Sequence, residues 1–293
     1  MILCYALGGG LGHLTRMRAL LHSLGAAAGG EPVTVLVSSP LALDPRALGG
    51  WSAILAPAMP AAASETARAA LGAWVAAVVA RLRPRAIYVD AFPGGILGEL
   101  CGMDWPAAGA SLFHAARRLR WERYRGRLPG PLPPFAVTYL LEPLEPDHRA
   151  ALAACTRTLT DQAIVDPPAA AALAAPPPLA SEAPAVGAWL IVHSGPEAEI
   201  VELIAYAESL QRMEGSTAPL ALIAPRQAAG EVARCDIYPA WPLFAAAPRI
   251  VTACGFNLMR QTAPHRGRHR FLPFPRPLDD QFVRAAWRRE GRV

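Results

Sequence analysis

The feature that most constrains this chain is how it begins. An apolar run, Ile2 to Leu7, passes directly into Gly8, Gly9, Gly10, Leu11, Gly12 and His13, and then into a helix-like stretch from Leu14 to Leu24. A strand that ends in glycines and resumes as a helix opens a strand-turn-helix unit, and repeats of that unit build parallel sheets wrapped by helices. The glycines let the chain turn sharply and leave backbone N–H groups open to a ligand. The spacing is not the dinucleotide pattern G-x-G-x-x-G, because a match begun at Gly8 needs glycine at Leu11 or His13.

The alternation continues along the chain. Strands are predicted at Ile2–Ala6, Val33–Ser38, Ala53–Ala56, Ala86–Val89, Ala107–Ser111 and Val137–Leu141, and helices at Leu14–Leu24, Ser64–Arg81 and Ala115–Arg125. Pro167 to Pro184 is rich in alanine and proline and suits a semi-rigid connection. After it the pattern restarts, with strands at Trp189–His193, Leu220–Ala224, Ile250–Thr252 and Phe271–Phe274 and helices at Glu197–Gln211 and Asp279–Arg289. The expected fold is α/β: a first Rossmann-like domain over residues 1–166, a linker over 167–187 and a smaller Rossmann-like domain over 188–293. A length of 293 residues fits two domains of roughly 100 to 200 residues sharing one cleft.

Composition removes several kinds of chemistry. Every one of the 28 basic residues is arginine, so a lysine Schiff base and a lysine-bearing P-loop are both excluded. The five cysteines, Cys4, Cys101, Cys155, Cys235 and Cys254, are odd in number and have no metal-ligand spacing, which points to reduced thiols and no bound metal. No apolar run reaches the roughly 18 to 20 residues of a membrane span, and no basic stretch precedes the first strand as in a signal peptide. The default expectation is a cytoplasmic enzyme. The net charge of +5 favours anionic ligands without choosing among them.

Ligands of open parallel sheets bind outside the carboxyl ends of the strands, so the informative residues are those that follow strands. His13 lies where the first loop becomes helix, a place suited to a general base and equally to helix capping or packing. Asp90 follows the strand ending at Val89 and is placed either to orient that imidazole or to shape a turn. In the second half, Gly255 and Asn257 open a helix after Ile250–Thr252, and Ser194 and Gly195 open another after Trp189–His193. Both are candidate anion sites. Asp279, Asp280 and Gln281 begin the last helix, as sugar ligands or as N-caps.

Together these residues resemble the GT-B glycosyltransferase superfamily, in both its UDP-glycosyltransferase and its peptidoglycan N-acetylglucosaminyltransferase branches. That resemblance implies two Rossmann-like domains facing a cleft, with the glycine turn at Gly9, Gly10 and Gly12 bordering the acceptor site. His13 is similar to the family's general base, and Asp90, within Val89–Phe92, to the acid that orients it. Cys254–Asn257, with Gly255, Phe256 and Asn257, resembles the donor signature, which extends to Arg260 and Gln261, and Asp280 with Gln281 resembles the pair that contacts the donor sugar. Ile237 and Tyr238, within Ile237–Pro242, occupy the place of the loop that holds the nucleotide base. Three positions depart from the pattern: Ala253 replaces a phosphate-binding histidine, Leu258 a serine, and Gln261 a ribose-binding glutamate.

The function this implies is metal-independent, inverting transfer of a sugar from a nucleotide-diphosphate donor, a UDP-sugar, to an acceptor hydroxyl, with no cofactor. Two other readings stay open. Gly10–Arg16 also resembles the nucleotide-sugar hydrolase of pseudaminic acid synthesis, and the three departures admit a noncatalytic ligand-binding protein. The cluster Arg117, Arg118, Arg120, Arg123, Arg125 and Arg127, interleaved with Leu119, Trp121 and Tyr124, is a contact for an anionic membrane, a grip on a phosphorylated acceptor, or a solvated helix face with aromatics packed inward. No nucleic-acid partner is expected.

Overall fold

The computed structural model describes residues 1–26, 30–58, 64–105, 109–168, 183–225 and 232–292. They form two units. The first is Met1–Pro167 together with Pro277–Asp279, and the second is Pro168–Arg276 together with Asp280–Val293. Residues 169–182 of the expected linker lie outside the described residues.

The first unit runs β1 Ile2–Tyr5, α1 Gly12–Ser23, β2 Val33–Val37, α2 Pro45–Leu48, β3 Ser52–Leu55, α3 Glu65–Leu82, β4 Ala86–Asp90, β5 Ser111–Ala116, α4 Trp121–Arg125, β6 Phe135–Leu140, α5 Pro146–Cys155 and β7 Thr156–Asp161. All the strands are parallel, in the order β3-β2-β1-β4-β5-β6-β7. Central strands β1, β2 and β4 are buried at every position, which is why they read as continuous apolar runs. Helix α3 starts where the Ser64 hydroxyl accepts from Ala67 N and ends at Arg83, whose φ of 46° is left-handed. It sets Leu71, Val75, Val78 and Val79 into the core beside Leu3, Ile87 and Val89. Each such burial contributes roughly 2 kcal/mol.

The second unit runs β8 Trp189–Val192, α6 Glu197–Glu214, β9 Leu220–Ile223, β10 Ala233–Cys235, β11 Ile250–Ala253, α7 Phe256–Gln261, β12 His269–Leu272 and α8 Gln281–Arg289. Its parallel sheet has the order β10-β9-β8-β11-β12. Ile200, Leu203 and Ala207 place one face of α6 on Ile191, Leu222 and Val251.

In both sheets the strand order reverses once, between β1 and β4 in the first and between β8 and β11 in the second. At such a switch point the loops leaving two adjacent strands run in opposite directions and leave a crevice for a ligand. Those four loops carry Gly8–Gly12, the residues after Asp90, Ser194–Gly195, and Cys254–Gly255.

The structure corrects the expected region around residue 110. Ala107 and Ala108 lie outside the described residues, and β5 runs from Ser111 to Ala116. The expected helix Ala115–Arg125 is therefore strand at its start and helix only from Trp121. Between them the chain stays extended because Leu119 bridges to Asp279 and Arg120 N donates to Leu278 O at 3.0 Å. Residue 279 accordingly lies before α8, which starts at Gln281.

The loop that follows β4 is fixed by two buried phenols. Tyr124 Oη accepts from Gly94 N at 2.9 Å and donates to Gly95 O at 2.8 Å. Tyr5 Oη accepts from Ile96 N at 3.0 Å and donates to the Glu99 carboxylate, which also receives Leu97 N at 2.8 Å. Gly95, at φ 87°, has to be glycine twice over, since a Cβ there would also lie 2.4 Å from the Glu99 carboxyl carbon. Tyr124→Phe leaves Gly94 N and Gly95 O buried without that partner, and is expected to cost about 1–3 kcal/mol. Urea unfolding should show a lower midpoint at unchanged slope.

Candidate active site

The first switch point gathers three side chains that the sequence separates. His13 and Arg16 stand one turn apart on α1, and so on one face of it, while Asp90 is the last residue of β4. His13 Nδ1 lies 2.6 Å from Asp90 Oδ2, Arg16 Nη2 donates to the same oxygen at 2.6 Å, and Arg16 Nε donates to Oδ1 at 2.6 Å. Asp90 is completely buried and Arg16 nearly so, whereas the His13 ring keeps an exposed edge. Burial by itself would raise the Asp90 carboxyl, but the Arg16 charge and the His13 bond outweigh it and hold it down at about 2. For His13 burial is the larger influence. It outweighs the pull of Asp90, with Arg16 and Arg117 pushing the same way, and lowers the imidazole below its ordinary 6.5. The ring is therefore neutral at physiological pH and can accept a proton.

The turn is shaped to admit this ring. A Cβ on Gly8 would lie 2.0 Å from His13 Nε2, so glycine is required there by the histidine. None of Gly8, Gly9, Gly10 and Gly12 adopts a left-handed φ. The Ser38 hydroxyl, just past β2, accepts from Gly8 N and donates to Gly8 O, both at 2.9 Å. On the other side Ala91 takes a left-handed φ of 61°, a strain of order 1 kcal/mol that turns the chain off the strand directly after the carboxylate. Phe92, the next residue, lies 5.7 Å from the His13 ring, and the Arg117 guanidinium lies 5.7 Å over Phe92.

At the second switch point, Gly255 N-caps α7, Phe256 is buried, and Asn257, Arg260 and Gln261 are half-buried along that helix. Ser194 and Gly195 leave β8, the neighbour of β11, so the two turns lie side by side. Ile237 and Tyr238 follow edge strand β10, with Ile237 packed on the core beside Phe244. The candidate donor residues thus line the carboxyl edge of one sheet. Two of them also have duties in the fold. Asp280 Oδ1 accepts from Val283 N at 3.3 Å as the cap of α8, and Gln281 Oε1, buried, accepts from Cys254 N at 3.2 Å and Phe274 N at 3.0 Å. Gln281 Oε1 thereby ties the loop after β11 to the segment after β12.

Sequence reading missed two partnerships. Arg16 belongs to the His13–Asp90 pair, and its spacing of three residues from His13 was the available signal. At the β8 turn, the anion in place is the protein's own: Glu199, in the first turn of α6, accepts from His193 Nε2 at 2.8 Å and pairs with Arg276. Burial would raise Glu199, but those two partners hold it down at about 2. The arginine cluster is also revised. Arg117 is buried and paired with Asp279, Arg118 donates to Glu145 at 2.8 Å, and Leu119, Trp121 and Tyr124 are core residues. Arg123, Arg125 and Arg127 are the members left exposed. Among the described residues no group of three or more histidines, cysteines or carboxylates is placed to hold a metal ion, and no helix is long and apolar enough to cross a membrane.

No protein-family model matches the chain, and no curated protein matches it in sequence. Solved structures do match. The spinosyn forosaminyltransferase SpnP superposes with a TM-score of 0.61 at 13% identity, over 99% of this chain and 83% of that one. The chain has the GT-B fold. Phytolacca americana UGT2, complexed with UDP-2-fluoro-glucose and pterostilbene, gives a TM-score of 0.56 at 12% identity over 99% and 83% of the two chains. The glycosyltransferase SnogD from Streptomyces nogalater gives 0.53 at 15% identity over 96% and 82%.

Two measurements check the geometry around His13. Gly8→Ala should cost about 1–2 kcal/mol in the native chain and almost nothing in a His13→Ala background, so that a double-mutant cycle on unfolding gives a coupling above about 1 kcal/mol. Asp90→Asn leaves the buried guanidinium of Arg16 without its counter-charge and should lower stability by about 3 kcal/mol, measured by denaturant unfolding at neutral pH.

Proposed function

We propose that this protein is a glycosyltransferase that moves a sugar from a nucleotide-diphosphate donor, a UDP-sugar, to an acceptor hydroxyl. The observation that carries this reading is the 2.6 Å contact of His13 Nδ1 with the completely buried carboxylate of Asp90 at the switch point of the first sheet. With Nδ1 donating to Asp90, Nε2 has a lone pair for the acceptor proton. As the acceptor oxygen attacks the anomeric carbon, its proton passes to Nε2 and the bond from that carbon to the diphosphate oxygen breaks. Asp90 stabilises the imidazolium so formed. Attack on the face opposite the leaving group inverts the anomeric centre.

The second unit binds the donor in this reading. The diphosphate rests on the turn at Gly255–Asn257, with Ser194 and Gly195 beside it, Ile237 and Tyr238 toward the base, and Gln261 in reach of the ribose. Glu199 adds no net negative charge there, because His193 and Arg276 are its partners. Backbone N–H groups and Arg260 take up the charge of the departing diphosphate, with no metal in the step. Support comes from the shared fold, whose solved members include one holding UDP-2-fluoro-glucose and pterostilbene. In this reading the protein acts in the cytoplasm, and a contact of Arg117–Arg127 with an anionic membrane would fall to the exposed Arg123, Arg125 and Arg127 and be salt-sensitive.

The test is release of UDP from UDP-glucose and related donors, with and without a pool of hydroxyl acceptors. The native protein should require acceptor, and chelation by EDTA should leave the rate unchanged. His13→Ala should lower turnover by about 100-fold or more while UDP binding, read by calorimetry, is retained. Since only the neutral ring accepts a proton and burial lowers its pKa, kcat/KM should rise with pH along a limb centred below 6.5 and then level off. Full activity in purified His13→Ala would overturn the assignment.

A further inference from the structure

We propose that Arg16 is a positioning residue of this site: by holding both oxygens of Asp90 in its guanidinium fork, it fixes the carboxylate so that His13 is kept in the one tautomer that leaves Nε2 open. The inference rests on the reading of His13 as the base and adds a residue to it.

The geometry is specific. Arg16 Nε pairs with Oδ1 and Nη2 with Oδ2, a two-point contact that stops the carboxylate from rotating about its own axis. A histidine-aspartate pair alone lets either oxygen meet the ring at a range of angles. Here Oδ2 is aimed at Nδ1 from 2.6 Å, while Nη2 stands 3.4 Å from that same nitrogen. A carboxylate oxygen accepts only, so Oδ2 at 2.6 Å requires the proton on Nδ1, and this contact outweighs the longer one from Nη2, which donates only and would favour a bare Nδ1. Of the two neutral tautomers, the one carrying its proton on Nδ1 is stabilised, and Nε2 stays unprotonated over Gly8.

Charge argues the same way. A buried carboxylate with histidine as its only partner favours a permanent imidazolium, which has no lone pair left for an acceptor proton. Arg16 offsets that carboxylate before the reaction and still leaves Oδ2 in contact with the ring when the proton arrives. The charged and titratable groups facing His13 are Asp90 from β4, Arg16 from its own helix and Arg117 from beyond β5, with Cys4 beside Asp90 within the sheet. Arg117 is already paired with Asp279. Arg16 is the cation that touches the carboxylate.

The experiment is histidine NMR on the full chain, reading tautomer and titration from long-range 1H–15N correlations, with the His13 signal assigned by its loss in His13→Gln. The native protein should show the Nδ1–H tautomer and a midpoint below 6.5. Arg16→Gln should move the midpoint up by about one pH unit and mix the tautomers. Arg16→Lys keeps the charge without the fork, so it should hold the midpoint within about half a unit and still lose the single tautomer. It carries the test if Arg16→Gln does not fold. In turnover of UDP-glucose, both variants should lose kcat by about 10- to 100-fold with donor KM within about twofold. A native protein in the Nε2–H tautomer, or folded variants with native midpoint and tautomer, would overturn the proposal. Native protein that turns over no donor but gives the expected NMR result would instead sink the transferase reading and leave Arg16's role intact.

Discussion

The buried carboxylate of Asp90 is the point from which the first unit is organised. It sits at the end of a strand that is buried at every position, and both of its oxygens are bonded to side chains of the first helix. One acid thus fastens α1 to the sheet at the place where the strand order reverses. Burying it is costly unless paired, and it is paired on both oxygens. The left-handed Ala91, the glycine at position 8 and the Ser38 clasp on Gly8 follow from that arrangement. Each gives the backbone room to pass a site crowded by an imidazole and a guanidinium.

The second unit repeats the theme with different parts. At its own strand-order reversal, a histidine just past a strand meets a carboxylate in the first turn of a helix, and an arginine clamps that carboxylate. A Cβ on Gly195 would come within 2.3 Å of His193 Nε2, as one on Gly8 would meet His13. Two sheets of similar construction have met the same need, a charged pair beside a tight turn, with glycine chosen for the neighbour's ring and not for an unusual φ.

Much of this was legible in the sequence. Strands buried on both faces, such as Ile2–Tyr5 and Val33–Val37, show themselves as unbroken apolar runs, and the residues at or beyond the ends of such strands included His13, Asp90 and Gly255. Edge strand β7, Thr156–Asp161, was missed because an exposed edge needs no apolar run: Thr-Arg-Thr-Leu-Thr-Asp has one aliphatic side chain. Strand β5 was read in part as helix because its last two residues are alanines followed by arginines, and what holds the next residues extended is a pairing with residues more than 150 positions later. Partnerships such as Arg16 with Asp90 and Arg276 with Glu199 span 74 and 77 positions, and side-chain direction decides them. Local pattern carries no record of that.

The short segment Pro277–Asp279 has a consequence for how separable the two units are. It lies late in the chain yet belongs to the first unit, where Leu278 packs with Phe92, Trp121 and Tyr124. The polypeptide therefore passes between the units three times, at Pro167/Pro168, Arg276/Pro277 and Asp279/Asp280. The first unit is discontinuous in sequence: no single cut in the gene releases it whole, and a fragment ended in the proline-rich stretch lacks the leucine that plugs its aromatic cluster. Synthesis of almost the whole second unit, up to the last helix, therefore precedes completion of the first.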